Sequence, residues 1–164
     1  MGLDQYLYAR KFISANNFSR DEEGKFNATP NPEFVNIMEQ SGLPLDINKY
    51  TFAGSANVAI QVGYWRKANA IHGWFVDELA KGVDECQEIY VPREKLSELR
   101  DLCKSVLKKP AMAGEILPPT SGFFFGSSEV DEWYMDDLKT TVEMIDFILA
   151  NTSDDYDFFY QASW

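Results

Sequence analysis

The stretch YWRKANAIHGWFVDEL, residues 64–79, carries the longest helical pattern in this sequence. Its apolar side chains recur at steps of three and four residues, which is the spacing of one buried helix face. These side chains are Tyr64, Ala68, Ile71, Phe75 and Leu79. The residues expected to face water on the opposite side are Arg66, Lys67, Gly73, Asp77 and Lys81. The pattern therefore predicts a central helix over residues 64–79 that ends near Gly82.

A second stripe lies one residue further along the same predicted helix, and it contains Val76 as well as polar residues. Asn69 and His72 are three residues apart, so their side chains can meet beside the indole ring of Trp65. His72 is the only histidine, and histidine titrates near neutral pH. The candidate pocket consists of Tyr64, Trp65, Asn69 and His72. A structural histidine held by Asn69 is the favoured alternative, because the spacing sets no nucleophile or carboxylate partner.

Strands are predicted on both sides of this helix. Residues 3–12 alternate between two faces, and residues 57–62 lead directly into the helix. Shorter strands are predicted at residues 89–91, 122–126 and 157–164. The polar segment 14–32, by contrast, has the composition of a long loop.

Three further helices are predicted from their end signals and apolar spacing. Asn31 and Pro32 begin the first, which Gly42 can end. Pro92 begins the second, with Leu96, Leu99, Leu102, Cys103 and Val106 facing inward. Ser128 and Asp131 form a possible capping box for the third, which runs to about residue 150. Its inner face consists of Tyr134, Leu138, Thr141, Ile145 and Ile148.

Together these elements predict an α+β fold in one domain over residues 1–164. We expect a mixed β-sheet of about five strands, with three to four helices packed mainly on one face. The alternative is an α/β three-layer fold, which would need strands with cleaner apolar runs.

The net charge of −11 is concentrated in the last third of the chain. Residues 111–164 contain eleven acidic residues and one basic residue, Lys139, which gives a net charge of −10. The preceding residues have nearly balanced charges, so no basic patch for direct nucleic-acid binding is predicted. We expect an acidic face that binds a partner protein with a basic surface. Its candidate residues are Glu129, Glu132, Trp133, Asp136, Asp137, Glu143 and Asp146.

The same acidic region could imitate a nucleic acid. A single DNA strand presents one charge per about 3.4 Å. The predicted last helix alone is too sparse, with about one net charge per 5 Å. Counting the neighbouring acids brings the density to about one per 3 Å if all of them lie along one face. Mimicry therefore depends on the fold, and a plain solvated acidic surface is the alternative.

Sequence motifs for catalysis and for ion binding are missing. There is no GxSxG, HExxH, Walker or calcium-loop motif, so no catalytic residue, metal site or cofactor is predicted. The turn at residues 125–128 is similar to a phosphate cradle. Glu129, Asp131 and Glu132 follow it with no lysine or arginine nearby in the sequence, so phosphate binding is not expected.

Targeting signals are missing too. No apolar run reaches the length of about 18 residues that a membrane helix needs. The start of the chain has no basic segment followed by an apolar stretch, as a secretory signal would have. Cys86 and Cys103 have neither metal-binding nor redox spacing. We therefore expect a cytoplasmic protein with no membrane partner.

Four segments resemble a group of small proteins encoded by bacteriophages and prophages: MGLDQYLYARKF, VGYWRKANAIHGWFVDELAKGVDECQEIYV, LPPTSGFFFGSSEVDEWY and DFFYQASW. The resemblance implies expression in the cytoplasm of an infected bacterium, and it supplies no catalytic residues. Small acidic phage proteins often inhibit host defence, as anti-CRISPR and anti-restriction proteins do. We therefore expect a non-enzymatic inhibitor of a host defence nuclease or effector complex. The alternatives are a small enzyme or ligand-sequestering protein that uses the candidate pocket, and an assembly protein; the oligomeric state stays open.

Overall fold

The structure, a computed structural model, describes residues 2–50, 54–122 and 125–164. Its strands are Asp4–Ser14 (β1), Asn16–Arg20 (β2), Phe26–Pro30 (β3), Ser55–Arg66 (β4), Ile89–Val91 (β5) and Tyr156–Ser163 (β6). Its α-helices are Pro32–Ser41 (α1), Asn69–Ala80 (α2), Arg93–Lys108 (α3), Ala113–Ile116 (α4) and Glu132–Asn151 (α5). Short 3₁₀ helices occur at Leu45–Tyr50 and Pro110–Met112.

The fold is α+β, as the sequence predicted, and the chain forms two compact units. One unit holds the residues up to Ala9 together with Ile60–Trp164, and the other holds Arg10–Ala59. The described residues form a four-stranded sheet in the order β4-β1-β6-β5 and a separate two-stranded sheet of β2 and β3. The main sheet therefore has one strand fewer than the five expected. The single domain over residues 1–164 stays a prediction.

In the larger unit, one face of the sheet is buried under helices. The side chains of Gln5, Leu7 and Ala9 on β1 alternate inward, as do Phe158, Tyr160 and Ala162 on β6. Strands β5 and β6 are antiparallel, with Ile89 opposite Tyr160. The ring of Phe75 on α2 stacks on that of Tyr160 at 4.0 Å. Helix α2 therefore lies directly on the buried face, as the predicted packing requires.

The central helix is shorter than predicted, because residues 64–66 belong to β4. Gly63 and Trp65 point into the core while Tyr64 and Arg66 are exposed, which is the alternation of a strand. Lys67 then adopts a left-handed conformation with φ of 60° and turns the chain into α2. The steps of three and four residues that suggested one helix therefore span a strand, a turn and a helix.

The first two turns of helix α2 are buried on every side rather than on one face. All residues from Asn69 to Val76 are buried, including Gly73, which was expected to face water. A Cβ atom at Gly73 would lie 2.0 Å from Thr120 Oγ1, so only glycine fits against that side chain. A helical segment without a solvated side is typical of a core element. This segment therefore fixes the positions of the residues that surround it.

Helices α3 and α5 match their predicted faces. The buried residues of α5 are Tyr134, Leu138, Thr141, Ile145 and Ile148, all as predicted. Those of α3 are Leu96, Leu99, Cys103 and Val106. The predicted capping box at Ser128 and Asp131 is wrong in one respect, because Asp131 itself is the N-cap. Its carboxylate accepts a hydrogen bond from Tyr134 N at 2.9 Å.

In the smaller unit, the expected loop at residues 14–32 is instead the hairpin of β2 and β3. The turn is held by the Asp21 carboxylate, which accepts hydrogen bonds from the backbone N–H groups of Glu23 and Lys25. Gly24 adopts the left-handed backbone conformation that this turn requires, with a φ of 79°. The exposed strands carry no alternating apolar pattern, so no periodicity in the sequence marks them as strands.

Helix α1 follows its sequence signals closely. The side chain of Asn31 caps it by accepting a hydrogen bond from Glu33 N at 3.0 Å. Gly42 ends it with a φ of 70°. The predicted strand at residues 122–126 lies partly outside the described residues, and no strand is present at Phe125 and Gly126.

Candidate functional site

The four residues of the candidate pocket do not surround one space. Tyr64 lies on the exposed face of β4, where its hydroxyl donates a hydrogen bond to the Asp4 carboxylate. Trp65 points to the opposite, buried face and donates from Nε1 to Thr141 Oγ1 at 2.8 Å. Because neighbouring strand residues point to opposite faces, these two side chains cannot line the same cavity.

His72 belongs to a buried polar chain that also includes Gln5. Its Nδ1 lies 2.8 Å from the Tyr160 hydroxyl, and its Nε2 lies 2.9 Å from a carboxylate oxygen of Asp84. The Tyr160 hydroxyl in turn lies 3.1 Å from Gln5 Oε1. Trp164 Nε1 donates to the other Asp84 oxygen at 3.3 Å. The histidine ring thus has a hydrogen-bond partner at each nitrogen.

This chain supports the structural interpretation of His72 with a different partner from the one expected. Asp84 and Tyr160 hold the ring, and Asn69 does not. Burial raises the pKa of Tyr160 well above its ordinary value, so its hydroxyl stays protonated and is no nucleophile. The sequence spacing missed Asp84 because it lies in the loop after α2 and meets His72 only through the fold.

Asn69 ties the first turn of α2 to the segments around residue 120. Its Nδ2 donates to the carbonyl oxygens of Phe125 and Ser127, at 3.1 and 2.7 Å. Its Oδ1 accepts from Thr120 N at 3.1 Å. Both polar atoms of this buried side-chain amide therefore hold the backbone near Thr120, Phe125 and Ser127 in place. Asn69, Gly126 and Ser127 form one wall of a cavity.

The cavity beside Asn69 has a volume of about 480 Å³, within the range of small-molecule sites. It joins residues from both predicted sets, since Asn69 comes from the candidate pocket and Glu129, Trp133 and Asp137 come from the acidic face. Its other lining residues are Arg66, Lys67, Ala68, Ala70, Ile71, Gly126, Ser127, Asp131, Tyr134 and Leu138. We call this space the α2–α5 cavity.

Two cations line the α2–α5 cavity, contrary to the expectation that no base lies near residues 125–128. Arg66 and Lys67 come from the turn between β4 and α2, and neither side chain has an ion-pair partner among the described residues. Gly126 lies against Lys67, and a Cβ there would be 3.4 Å from Lys67 Cβ. The sequence placed these residues almost sixty positions apart, so only the fold reveals the pair.

The carboxyl group of Asp137 is the unusual acid of this cavity. Burial, together with the charges of Asp131 and Asp136, raises its pKa from 3.8 to about 6. Its carboxylate has no hydrogen bond or ion pair with another described residue. Asp137 is therefore a partly buried carboxyl group that lines the cavity without a partner among the described residues.

An Asp137→Asn variant is expected to gain stability at pH 7.5 and none at about pH 4. Because the folded-state pKa of Asp137 is raised, the folded protein takes up this proton at a higher pH than the unfolded chain does. The carboxyl therefore favours the folded state fully below its unfolded pKa, and this advantage is lost as pH rises through about 6. Thermal melts of both proteins across this range measure the difference. Equal pH profiles would show that Asp137 is solvated like an ordinary surface acid.

The acidic residues of α5 do not share one environment. Asp146 is paired with Arg100 at 3.1 Å and with Lys104 at 3.0 Å, so α3 neutralises it. Asp136 is paired with Lys139 of its own helix at 2.7 Å. Glu132 and Glu143 are exposed and have no ion pair with a described residue. Glu129 and Asp137 line the cavity instead.

Phe147 was not among the predicted residues of the acidic face, yet it is 70% exposed on α5, while Trp133 on the same helix is 80% exposed. These are the two most exposed large hydrophobic side chains of the described residues. The helical spacing could have predicted that these two rings share one side of α5, since positions 14 residues apart lie within about 40° of each other on a helix. We call the side of α5 formed by Trp133, Asp136, Thr140, Glu143 and Phe147 the outer stripe; all five are exposed.

The described residues contain no group of three or more His, Cys, Asp or Glu side chains that could hold a metal ion. Of the helices in the part of the chain that the structure describes, none combines the length and apolar character that crossing a bilayer requires.

Comparison of the chain with family models, with curated proteins and with solved structures finds no match. The resemblance to phage-encoded proteins therefore stays a prediction.

Proposed function

We propose that this protein is a non-enzymatic binding protein that docks through the outer stripe onto a basic surface of a host protein. In the phage context that the sequence suggests, the partner is a nucleic-acid-binding defence effector, and docking inhibits it in the bacterial cytoplasm. The observation that carries this proposal is the exposure of Trp133 and Phe147 on a helix whose other side is fully packed.

The aromatic side chains supply the apolar part of the interface. Large aromatic side chains are typical anchors of protein–protein interfaces, where a few of them contribute most of the binding energy. Trp133 and Phe147 are separated by roughly 21 Å along the helix, at about 1.5 Å per residue. Two anchors at this distance fit a groove or ridge of a partner protein.

Acidic residues lie between the two anchors and would set the orientation of the complex. Asp136 and Glu143 face the same side as the rings, and Glu132 is exposed beside them. Rim charges of this kind speed association and exclude wrong partners more than they add affinity. A partner surface with lysine or arginine residues would complement them.

Nucleic-acid mimicry is the less favoured form of this proposal. It needs an unbroken row of charges along one face, but Arg100 and Lys104 neutralise Asp146. Asp136 is paired with Lys139, and Asp137 points into the cavity. The charge density on the outer stripe is therefore lower than the sequence count suggested, and the rings become more important than the charges.

The experiment is capture of partners from a lysate of the host bacterium with immobilised protein, at about 0.15 M and about 1 M salt. We expect a basic nucleic-acid-binding protein to be retained at both salt concentrations but in a smaller amount at the higher one, because the screening length falls from about 8 Å to about 3 Å. An Asp136→Lys/Glu143→Lys variant and a Phe147→Ser variant should each lose it. The purified partner's nuclease or effector activity should fall when wild-type protein is added.

The matched control is Glu22→Lys/Glu115→Lys, which makes the same change in net charge at two exposed acids outside α5. It should capture the partner as well as the wild type does. Loss of capture by this control would mean that only overall charge matters. Retention of the partner by both outer-stripe variants would refute the proposal.

A further inference from the structure

We propose that the α2–α5 cavity binds a guanine nucleotide, with its phosphate at Arg66 and Lys67 and its base between Trp133 and Asp137. This site shares Trp133 with the outer stripe, but neither proposal rests on the other. Four side chains of different chemistry meet at this one cavity, and each of them fits one part of the same ligand.

The cationic end fits a phosphate group. Arg66 and Lys67 are exposed at the edge of the cavity and have no ion-pair partner among the described residues. Glu129, Asp131 and Asp137 line the same cavity, so an anion would be held only where Arg66 and Lys67 contact it. A guanidinium group can bind phosphate oxygens in a bidentate manner, and the lysine adds a second charge.

Trp133 and Asp137 fit a planar ring with N–H donors. Trp133 and Asp137 are four residues apart on α5, so their side chains are neighbours on the same side of the helix. A base stacked on the indole would therefore have its edge at the Asp137 carboxylate, and such stacking is a common source of binding energy. The apolar floor of Ala70, Ile71 and Leu138 suits the rest of the ring.

The carboxylate decides which base is accepted. An ionised carboxylate is an acceptor only. Guanine presents two adjacent N–H donors on its Watson–Crick edge, whereas adenine presents one donor beside an acceptor. Asp137 has no hydrogen-bonding partner of its own among the described residues, so a guanine base would satisfy it, while adenine would place a lone pair against its charge. Discrimination of about tenfold or more follows for a bidentate contact of this kind.

The different chemistry of these side chains also disfavours simpler ligands. Inorganic phosphate would use Arg66 and Lys67 but leave Trp133 and Asp137 unused. An uncharged nucleoside would use only Trp133 and Asp137. A ligand that is anionic at one end and donates hydrogen bonds at the other therefore matches the cavity best.

The test is isothermal titration of GMP, AMP, guanosine and inorganic phosphate into the full chain, with Trp fluorescence as the second readout. We expect GMP to bind at least about tenfold more tightly than the other three and to quench the emission of Trp133. Asp137→Asn should remove the preference of GMP over AMP. Arg66→Gln and Lys67→Gly should each weaken GMP about tenfold and leave guanosine unchanged.

Glu143→Lys and Phe147→Ser are the controls, because both residues lie outside the cavity, and they should bind GMP like the wild type. Thermal melts identify any variant that fails to fold. If one of the two cation variants fails to fold, the other still tests the phosphate contact. Equal affinity for GMP and AMP, no binding at about 1 mM, or an unchanged preference in Asp137→Asn would overturn the proposal. Such a result would leave partner docking through the outer stripe untouched.

Discussion

Replacing His72 by alanine is expected to destabilise the protein by about 3 kcal/mol, which is a loss of about 6–12 °C in Tm for a chain of this size. The substitution removes a fully buried ring that packs edge-on against Phe125 at 5.0 Å. It also leaves the Tyr160 hydroxyl and the Asp84 carboxylate without the partner they share. Differential scanning calorimetry at pH 7.5 measures this loss.

The control for His72 is Asp77→Ala, an exposed position on the same helix, which should change the stability by less than about 0.5 kcal/mol. If His72→Ala melted like this control while losing a binding or catalytic activity, the histidine would be a functional group rather than a structural one. That outcome would revive the enzyme alternative.

Replacing Arg93 by alanine is expected to cost about 2–3 kcal/mol, which is a loss of about 4–12 °C in Tm. Helix α5 has no basic residue in its last turn, and Arg93 from the start of α3 takes over that role. Its guanidinium donates to the carbonyl oxygens of Leu149 and Thr152, at 2.8 and 2.7 Å. It also donates to Thr152 Oγ1 and to the carbonyl of Ser153.

Hydrogen exchange of the last turn of α5 should accelerate in Arg93→Ala, together with the fall in Tm. Arg93→Lys should recover only part of the loss, since an ammonium group cannot reproduce the planar fork. Lys95→Ala is the matched control, because Lys95 makes only exposed ion pairs with Glu78 and Glu98, worth about 0.5 kcal/mol. Equal losses of stability in Arg93→Ala and Lys95→Ala would show that the Arg93 hydrogen bonds contribute no more than an exposed ion pair.

The sequence predicted the elements whose signals are local. The inner face of α5, the Asn31 cap and the Gly42 stop all depend on spacing or on one residue's preferred backbone, and all three are confirmed. The extent of α2 was wrong because an alternating strand and a helix can share steps of three and four residues over a short run. Because residues 64–66 belong to β4, Tyr64 and Trp65 lie on opposite faces of that strand. They therefore cannot line one pocket together, as had been expected.

The site could be predicted only in part, because its contacts join distant parts of the chain. Asp84 meets His72 through the loop after α2, and Lys67, in the turn before α2, lies against Gly126 in the segment before α5. Neither pair has a fixed spacing that could have revealed it. The excess of acidic residues could be predicted from the composition. Which of them pair with α3, which line the cavity and which face water depends on the orientation of α5.

The central claim is that the outer stripe of α5 docks a partner, and hydroxyl-radical footprinting of the captured complex tests it most directly. Oxidation of Trp133 and Phe147 should fall strongly on complex formation, while that of Phe26, which is 61% exposed on the hairpin, should not change. Protection of Phe26 with Trp133 and Phe147 still fully reactive would contradict the account.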